Sequence, residues 1–114
     1  MARLEGWDFV YDGEINKYNK YHGHGILRTT EEYTYEGEFE NGTFCEGKIT
    51  HPTALVYEGE FNLDGEIDGE GKITYSSGLC EQGTFEENTL HGKGKRTYPD
   101  GSAEEGIFHY GHLI

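Results

Sequence analysis

Positive charge is scarce in this chain of 114 residues: nine Lys and Arg face 22 Asp and Glu, for a net charge of −13. Such a surface repels the phosphates of nucleic acid and the anionic leaflet of a membrane, so a basic protein is the natural complement. Long apolar runs are lacking as well. The opening MARLEGWDFV has no apolar core of signal-peptide type, and no run approaches the roughly 20 residues that span a bilayer. The expected location is the cytoplasm. Catalytic vocabulary is equally thin. His22-x-His24 finds no Cys or carboxylate cluster at a spacing that would complete a zinc set. The few serines stand in no nucleophile-elbow pattern, and carboxylates are too abundant for a pair of them to be a signal. No enzyme activity, metal or cofactor is expected.

Glycine and aromatic residues, by contrast, are plentiful. Eighteen Gly and a hydrophobic share of 33% leave little material for a thick core in what length makes one domain. An aromatic share of 14% is nevertheless too rich for a disordered acidic segment. These residues recur at a period. YDGEI begins at Tyr11, YEGEF at Tyr35 and Tyr57, EQGTF at Glu81 and EEGIF at Glu104, and glycine-flanked segments HGHGIL, CEGKI, DGEGKIT and HGKGKRT follow the first four. Both kinds of segment alternate with period two, and ENG, LDG, SSG and PDG supply turn chemistry, which reads as an all-β meander without helix.

Tyr-x-Gly-x-Phe followed by Gly-x-Gly, in roughly four and a half copies from Tyr11 to the C-terminus, resembles the MORN repeat family. The resemblance implies an elongated, twisted, single-layer antiparallel sheet of β-hairpins that serves as a scaffold or adaptor. It also suggests motor, cytoskeletal or signalling proteins as partners, with lipid head-group binding as a second activity of such repeats. Residues 1–10 are then an N-terminal edge-strand extension, and residues 11–114 are the repeat sheet, with units starting at 11, 35, 57, 81 and 104.

Pairing each first segment with the second segment of its own unit and of the unit before lays three rows across one face. The first row is Tyr11, Leu27, Tyr35, Ile49, Tyr57, Ile73, Glu81, Arg96 and Glu104. The second is glycine throughout, from Gly13 and Gly25 to Gly94 and Gly106. The third sets Ile15, Phe39, Phe61, Phe85 and Phe108 against Gly23, Cys45, Gly69 and Gly92. Tyr and Phe rings would lean over the bare glycines from either side, replacing the packing that a strand glycine forfeits. Their principal role is then the fold's own core. A single layer still exposes their outer edges, which makes Tyr35, Phe39, Tyr57, Phe61, Tyr75, Phe85 and Tyr98 the candidate partner-binding aromatics. Glu81, Arg96 and Glu104 interrupt the apolar row at the C-terminal end of the groove. They read better as a cross-strand ion triad than as a ligand site, although they complete the candidate binding set.

The opposite face is polar, with Glu36 opposite Lys48, Glu58 opposite Lys72, and repelling pairs Glu38–Glu46 and Glu60–Glu70; it reads as solvated. Unequal loop lengths call for a bulge or slip in the fourth unit, which would make Glu81–Arg96 a diagonal contact. His22 and His91 stand at equivalent places before Gly23 and Gly92, which favours turn packing over metal binding. Cys45 and Cys80 fall three strands apart, about 14 Å at the usual strand spacing and beyond disulfide reach. In HGKGKR, Lys93 and Lys95 project to the back while Arg96 projects forward, which splits the basic cluster.

The expected function is a non-catalytic scaffold whose aromatic groove receives a basic or amphipathic segment, helical or extended. An acidic inhibitor of a basic protein would share its charge signature. A phospholipid module is disfavoured, because each Lys or Arg near an anionic surface contributes only about 1 kcal/mol and this chain has few. Open edges are expected at the first strand, where Trp7 and Phe9 continue the alternation into Tyr11, and at the strand around Gly106–Phe108. Dimerisation through one of these edges is a further expectation.

Overall fold

The computed structural model describes residues 2–114. The strands are β1 (Ala2–Glu5), β2 (Phe9–Ile15), β3 (Tyr21–Thr29), β4 (Thr34–Glu40), β5 (Thr43–Thr50), β6 (Val56–Phe61), β7 (Ile67–Thr74), β8 (Cys80–Glu86), β9 (Thr89–Thr97), β10 (Ala103–His109) and β11 (His112–Leu113). All eleven pair antiparallel in chain order in one open sheet, which measures 47 × 23 × 19 Å.

Turn chemistry makes this meander possible. Two residues suffice between β4 and β5, between β8 and β9 and between β10 and β11. In each pair both residues have positive φ (Asn41 48° and Gly42 90° in the first), the type I′ geometry whose twist matches that of paired strands. The longer turns after β2 and β6 are organised by asparagine: Asn16 Oδ1 accepts the Tyr18 and Lys20 amides, and Asn62 Oδ1 accepts those of Asp64 and Glu66.

The first two expected rows are present at every step, from Tyr11↔Leu27 to Arg96↔Glu104 and from Gly13↔Gly25 to Gly94↔Gly106. Glu81 therefore faces Arg96 directly rather than diagonally. The third row differs within each hairpin. Ile15 pairs with Tyr21, Phe39 with Phe44, Phe61 with Ile67 and Phe85 with Leu90, in place of Gly23, Cys45, Gly69 and Gly92. Bulges are the reason, and they occur in all four hairpins rather than only the last. In the first, His22, Gly23 and His24 stand opposite the single residue Glu14, and Gly23 takes φ 86° to make the excursion. The second hairpin is shorter, so only Cys45 is extra there.

Carboxylates on the back face close two of these bulges. Glu14 Oε2 accepts the His24 amide at 2.6 Å, and Glu60 Oε2 accepts the Glu70 amide at 3.3 Å. The Glu60 carboxylate thus bonds the main-chain amide of Glu70, while the Glu70 carboxylate accepts the Thr84 hydroxyl at 2.8 Å. Glu38 does lie opposite Glu46, and Glu46 opposite Glu60. Glu36–Lys48 and Glu58–Lys72 are in register, yet among the described residues neither closes into an ion pair; on this face Arg3 pairs with Asp12 at 2.9 Å and with Glu5 at 3.4 Å, and His24 Nδ1 lies 2.9 Å from the Glu38 carboxylate. His22 Nδ1 accepts the Asn41 amide and His91 Nδ1 the Tyr110 amide, so each histidine supports the turn of the following hairpin. Cys45 and Cys80 are free thiols on β5 and β8.

Because the bulges bring an apolar residue beside each row-three side chain, the sheet builds a core without a second layer. Ile67, Ile73, Phe85, Leu90 and Phe108 form one buried cluster, and Tyr11 is fully buried at the other end, stacked on Tyr21 at 4.1 Å. Burying each such side chain stabilises the fold by about 1.5–3 kcal/mol. The glycine row lies beneath these side chains. At Gly25 the Tyr11 ring fills the space a Cβ would need. At Gly37, Gly47, Gly59 and Gly83 the nearest atoms are instead the backbone of the facing strand, so the row is mainly a seam of close backbone approach and only locally a seat for rings.

Both edges correct the sequence-based expectation. Trp7 lies in the turn between β1 and β2, fully exposed at 101%, and the edge strand is β1, where Leu4 pairs with Tyr11. At the far side β11 pairs with Phe108 and His109, which covers part of the β10 edge.

Candidate interaction site

Alternation along the central strands, with Glu81, Arg96 and Glu104 paired across them, places the candidate residues on one face. Tyr35 and Phe39 come from β4, Tyr57 and Phe61 from β6, Glu81 and Phe85 from β8, Arg96 from β9 and Glu104 from β10. Tyr75 and Tyr98 open the turns after β7 and β9, where the Tyr75 carbonyl accepts from Gly78 and the Tyr98 carbonyl from Gly101. Their availability differs. Phe39 and Phe85 are buried, at 4% and 1% exposure, and present almost no surface. Tyr35, Tyr57, Phe61, Tyr75 and Tyr98 are half-buried, with one side in the sheet's packing and the other facing out.

The three charges form a closed network. Glu81, 7% exposed, has both oxygens engaged: Oε1 accepts the Tyr75 hydroxyl at 2.7 Å, and Oε2 accepts Arg96 Nε at 2.9 Å and Nη2 at 2.7 Å. The same Nη2 donates to the Gly111 carbonyl at 2.8 Å, and the guanidinium lies 5.2 Å from the Phe108 ring centre. Glu104 accepts the Tyr98 hydroxyl and lies 3.7 Å from Arg96 Nη1. Burial first, then the hydrogen bond and charge of Glu81, push the Tyr75 phenol far above its ordinary value. Burial opposes the charge on Arg96, but Glu81 outweighs it and holds the guanidinium above its usual range. A carboxylate this well satisfied has little left to offer a ligand.

Two open clefts flank the central rings. One, of about 420 Å³, lies among Tyr35, Phe44, His51, Tyr57, Phe61 and the turn at Asn62–Glu66. His51 opens the turn after β5 and packs between Tyr33 and Tyr57, with ring centres 4.9 and 5.0 Å away. Burial lowers its pKa, and its Nε2 is buried without a hydrogen-bond partner. The other, of about 550 Å³, lies among Phe9, Tyr21, Tyr33 and Tyr35 beside the turns that carry Asp8 and Glu31. Sequence reasoning missed Tyr21, Phe44, His51 and Tyr33 on this face. Tyr21, Ile67 and Leu90 each stand two residues before a bulge glycine, which is the signal that could have found them.

The MORN repeat model matches residues 11–30, 35–45, 57–80 and 82–103, more than half of the chain. The chain belongs to the MORN repeat family. MORN repeats are generally modules for protein or membrane interaction and not catalysts, and among the described residues no group of three His, Cys, Asp or Glu converges to hold a metal. A search of curated proteins returned no significant match. The second MORN match stops at Cys45, the position where this hairpin lacks the bulge glycine of the others.

Proposed function

We propose that this MORN sheet is a non-catalytic scaffold or adaptor whose aromatic face receives a basic, amphipathic segment of a partner protein in the cytoplasm. One observation carries the reading: Tyr35, Tyr57, Phe61, Tyr75 and Tyr98 all remain partly exposed on a chain of net charge −13, with Tyr57, Phe61 and Tyr75 packed against the core cluster. Tyrosine supplies large, rigid contact area with a polar tip and is among the residue types that dominate binding energy. The surrounding carboxylates speed the approach of a cationic partner, whereas Glu81 and Glu104, already bonded within the chain, serve to hold the face in shape. Anionic lipid is the poorer occupant on charge grounds.

The test compares retention of partner by the wild type, Tyr57→Ala and Glu58→Lys, together with co-sedimentation on phosphatidylserine vesicles. Tyr57→Ala is expected to weaken partner binding by more than about 1 kcal/mol, whereas Glu58→Lys on the back face slows association and leaves dissociation nearly unchanged. Normal binding by Tyr57→Ala with loss in Glu58→Lys would move the site to the back face. Tight vesicle binding without retention of any protein would establish the lipid activity instead.

A further inference from the structure

The chain itself shows how this fold seats a guanidinium. At the C-terminal end, Arg96 lies against the Phe108 ring between the carboxylates of Glu81 and Glu104, which are themselves held by the hydroxyls of Tyr75 and Tyr98. The cleft at the N-terminal end assembles the same ingredients from different elements. Phe9, Tyr21, Tyr33 and Tyr35 give it aromatic walls, and Asp8 and Glu31 stand beside them. The two acidic residues come from adjacent turns, joined where the Asp8 carbonyl accepts the Thr30 amide at 3.0 Å. Both lie close to the rings. Burial and then Asp8 raise the Tyr21 phenol, and burial, Tyr33 and then Glu31 raise that of Tyr35. Among the described residues neither Asp8 nor Glu31 enters an ion pair, unlike Glu81 and Glu104.

We propose that this cleft, walled by Phe9, Tyr21, Tyr33 and Tyr35 and flanked by Asp8 and Glu31, seats the guanidinium of an arginine carried by the partner segment. The proposal rests on the aromatic-face reading above and adds a direction to it. Arginine suits the cleft because a planar guanidinium stacks on aromatic faces while its edge donates to more than one carboxylate. A quaternary ammonium has no N–H to give them. Since the C-terminal end already holds Arg96 in its own carboxylates, a basic residue of the partner is drawn to the β2–β4 end, and the segment lies along the sheet in one polarity.

The test titrates methylguanidinium into the isotope-labelled full chain and follows its backbone amides by NMR. Saturable shifts are expected at Asp8, Thr30, Glu31 and Tyr33, with an affinity loss of about tenfold or more in Asp8→Asn/Glu31→Gln. Both acidic side chains are exposed, so the variant keeps the fold. Equal titrations of wild type and variant would overturn the proposal, as would tighter saturation of the cleft by tetramethylammonium than by methylguanidinium. A pair of amphipathic helical peptides, one with arginine near one end and one with citrulline there, separates the seat from the aromatic-face reading. The arginine peptide should bind wild type about tenfold tighter, with the difference lost in the double variant. Equal binding of both peptides by wild type would remove the seat and leave the face as a binding surface. Methylguanidinium saturation with neither peptide bound would keep the seat and remove the segment-binding face.

Discussion

Alanine at Gly59 should damage the sheet more than alanine at its facing neighbour Gly71, although the two glycines look equivalent in sequence. Gly59 has φ 141°, and a Cβ there would lie 2.4 Å from the Glu70 carbonyl oxygen and 2.7 Å from Gly71 Cα. The backbone strain costs about 1–3 kcal/mol, and forcing apart two paired strands adds about 1–3 kcal/mol. Gly71 has no such φ, and a Cβ there meets the Glu58 oxygen at 2.8 Å and Ile67 Cδ1 at 2.9 Å, the latter the end of a side chain that can yield. Its cost stays near about 1–2 kcal/mol. With about 4 °C per kcal/mol for a chain of this size, the Gly59→Ala melting point should fall roughly 8 °C below that of Gly71→Ala. Gly42→Ala isolates the strain component, since Gly42 has φ 90° and nothing within 4 Å of a new Cβ. Near-UV circular dichroism melts and urea midpoints measure all three. A Gly71→Ala variant that melts at or below Gly59→Ala would refute the view that backbone proximity, rather than ring cover, requires glycine in this row.

Glu46 lies between Glu38 and Glu60 on the back face, so Glu46→Lys should turn two repulsive cross-strand pairs into attractive ones and raise stability by about 0.5–1.5 kcal/mol in low salt. A gain that persists unchanged in 1 M salt would contradict the electrostatic cause. Arg96→Met leaves Glu81 nearly buried with only Tyr75 as partner and should cost about 2–4 kcal/mol, whereas Arg96→Met with Glu81→Leu should recover much of the loss in a urea-unfolding cycle. The Tyr75 phenol is raised above its unfolded value of 10.0, so its stabilisation is fully present below pH 10 and disappears as pH rises toward the folded value. Stability should therefore fall above pH 10, less steeply in Tyr75→Phe, and identical slopes would show that Tyr75 stays out of the alkaline transition.

The antiparallel meander and the first two rows were legible in the sequence because period two survives on both sides of every motif glycine. Tyr11, Leu27, Tyr35 and Ile49 stand two residues from glycines that pair with one another, so aligning the glycines aligns the row. The third row was not legible, because alternation cannot reveal how many residues leave the ladder. Gly23 reads equally well as a strand glycine or a bulge, and only φ 86° and the pairing of Ile15 with Tyr21 distinguish them. One consequence is that Phe39 and Phe85, equivalent in sequence to Phe61, are buried by neighbours the alternation did not place beside them.

Composition and repeat by themselves determined an acidic, aromatic, single-layer β sheet with glycine at its centre, since those properties depend on residue type and on contacts within one period. Tertiary structure alone decided which rings remain open and which charges are already satisfied. Glu81 and Glu104 form the ion triad with Arg96 that the repeat suggested, but only the fold adds the Tyr75 and Tyr98 hydroxyls that complete it; Asp8 and Glu31 stand in no repeat motif and flank an aromatic cleft. The physical reason is that a carboxylate's role depends on what lies within hydrogen-bonding reach. Asp8 and Glu31, on different turns, border one cleft only because β2 and β3 pair.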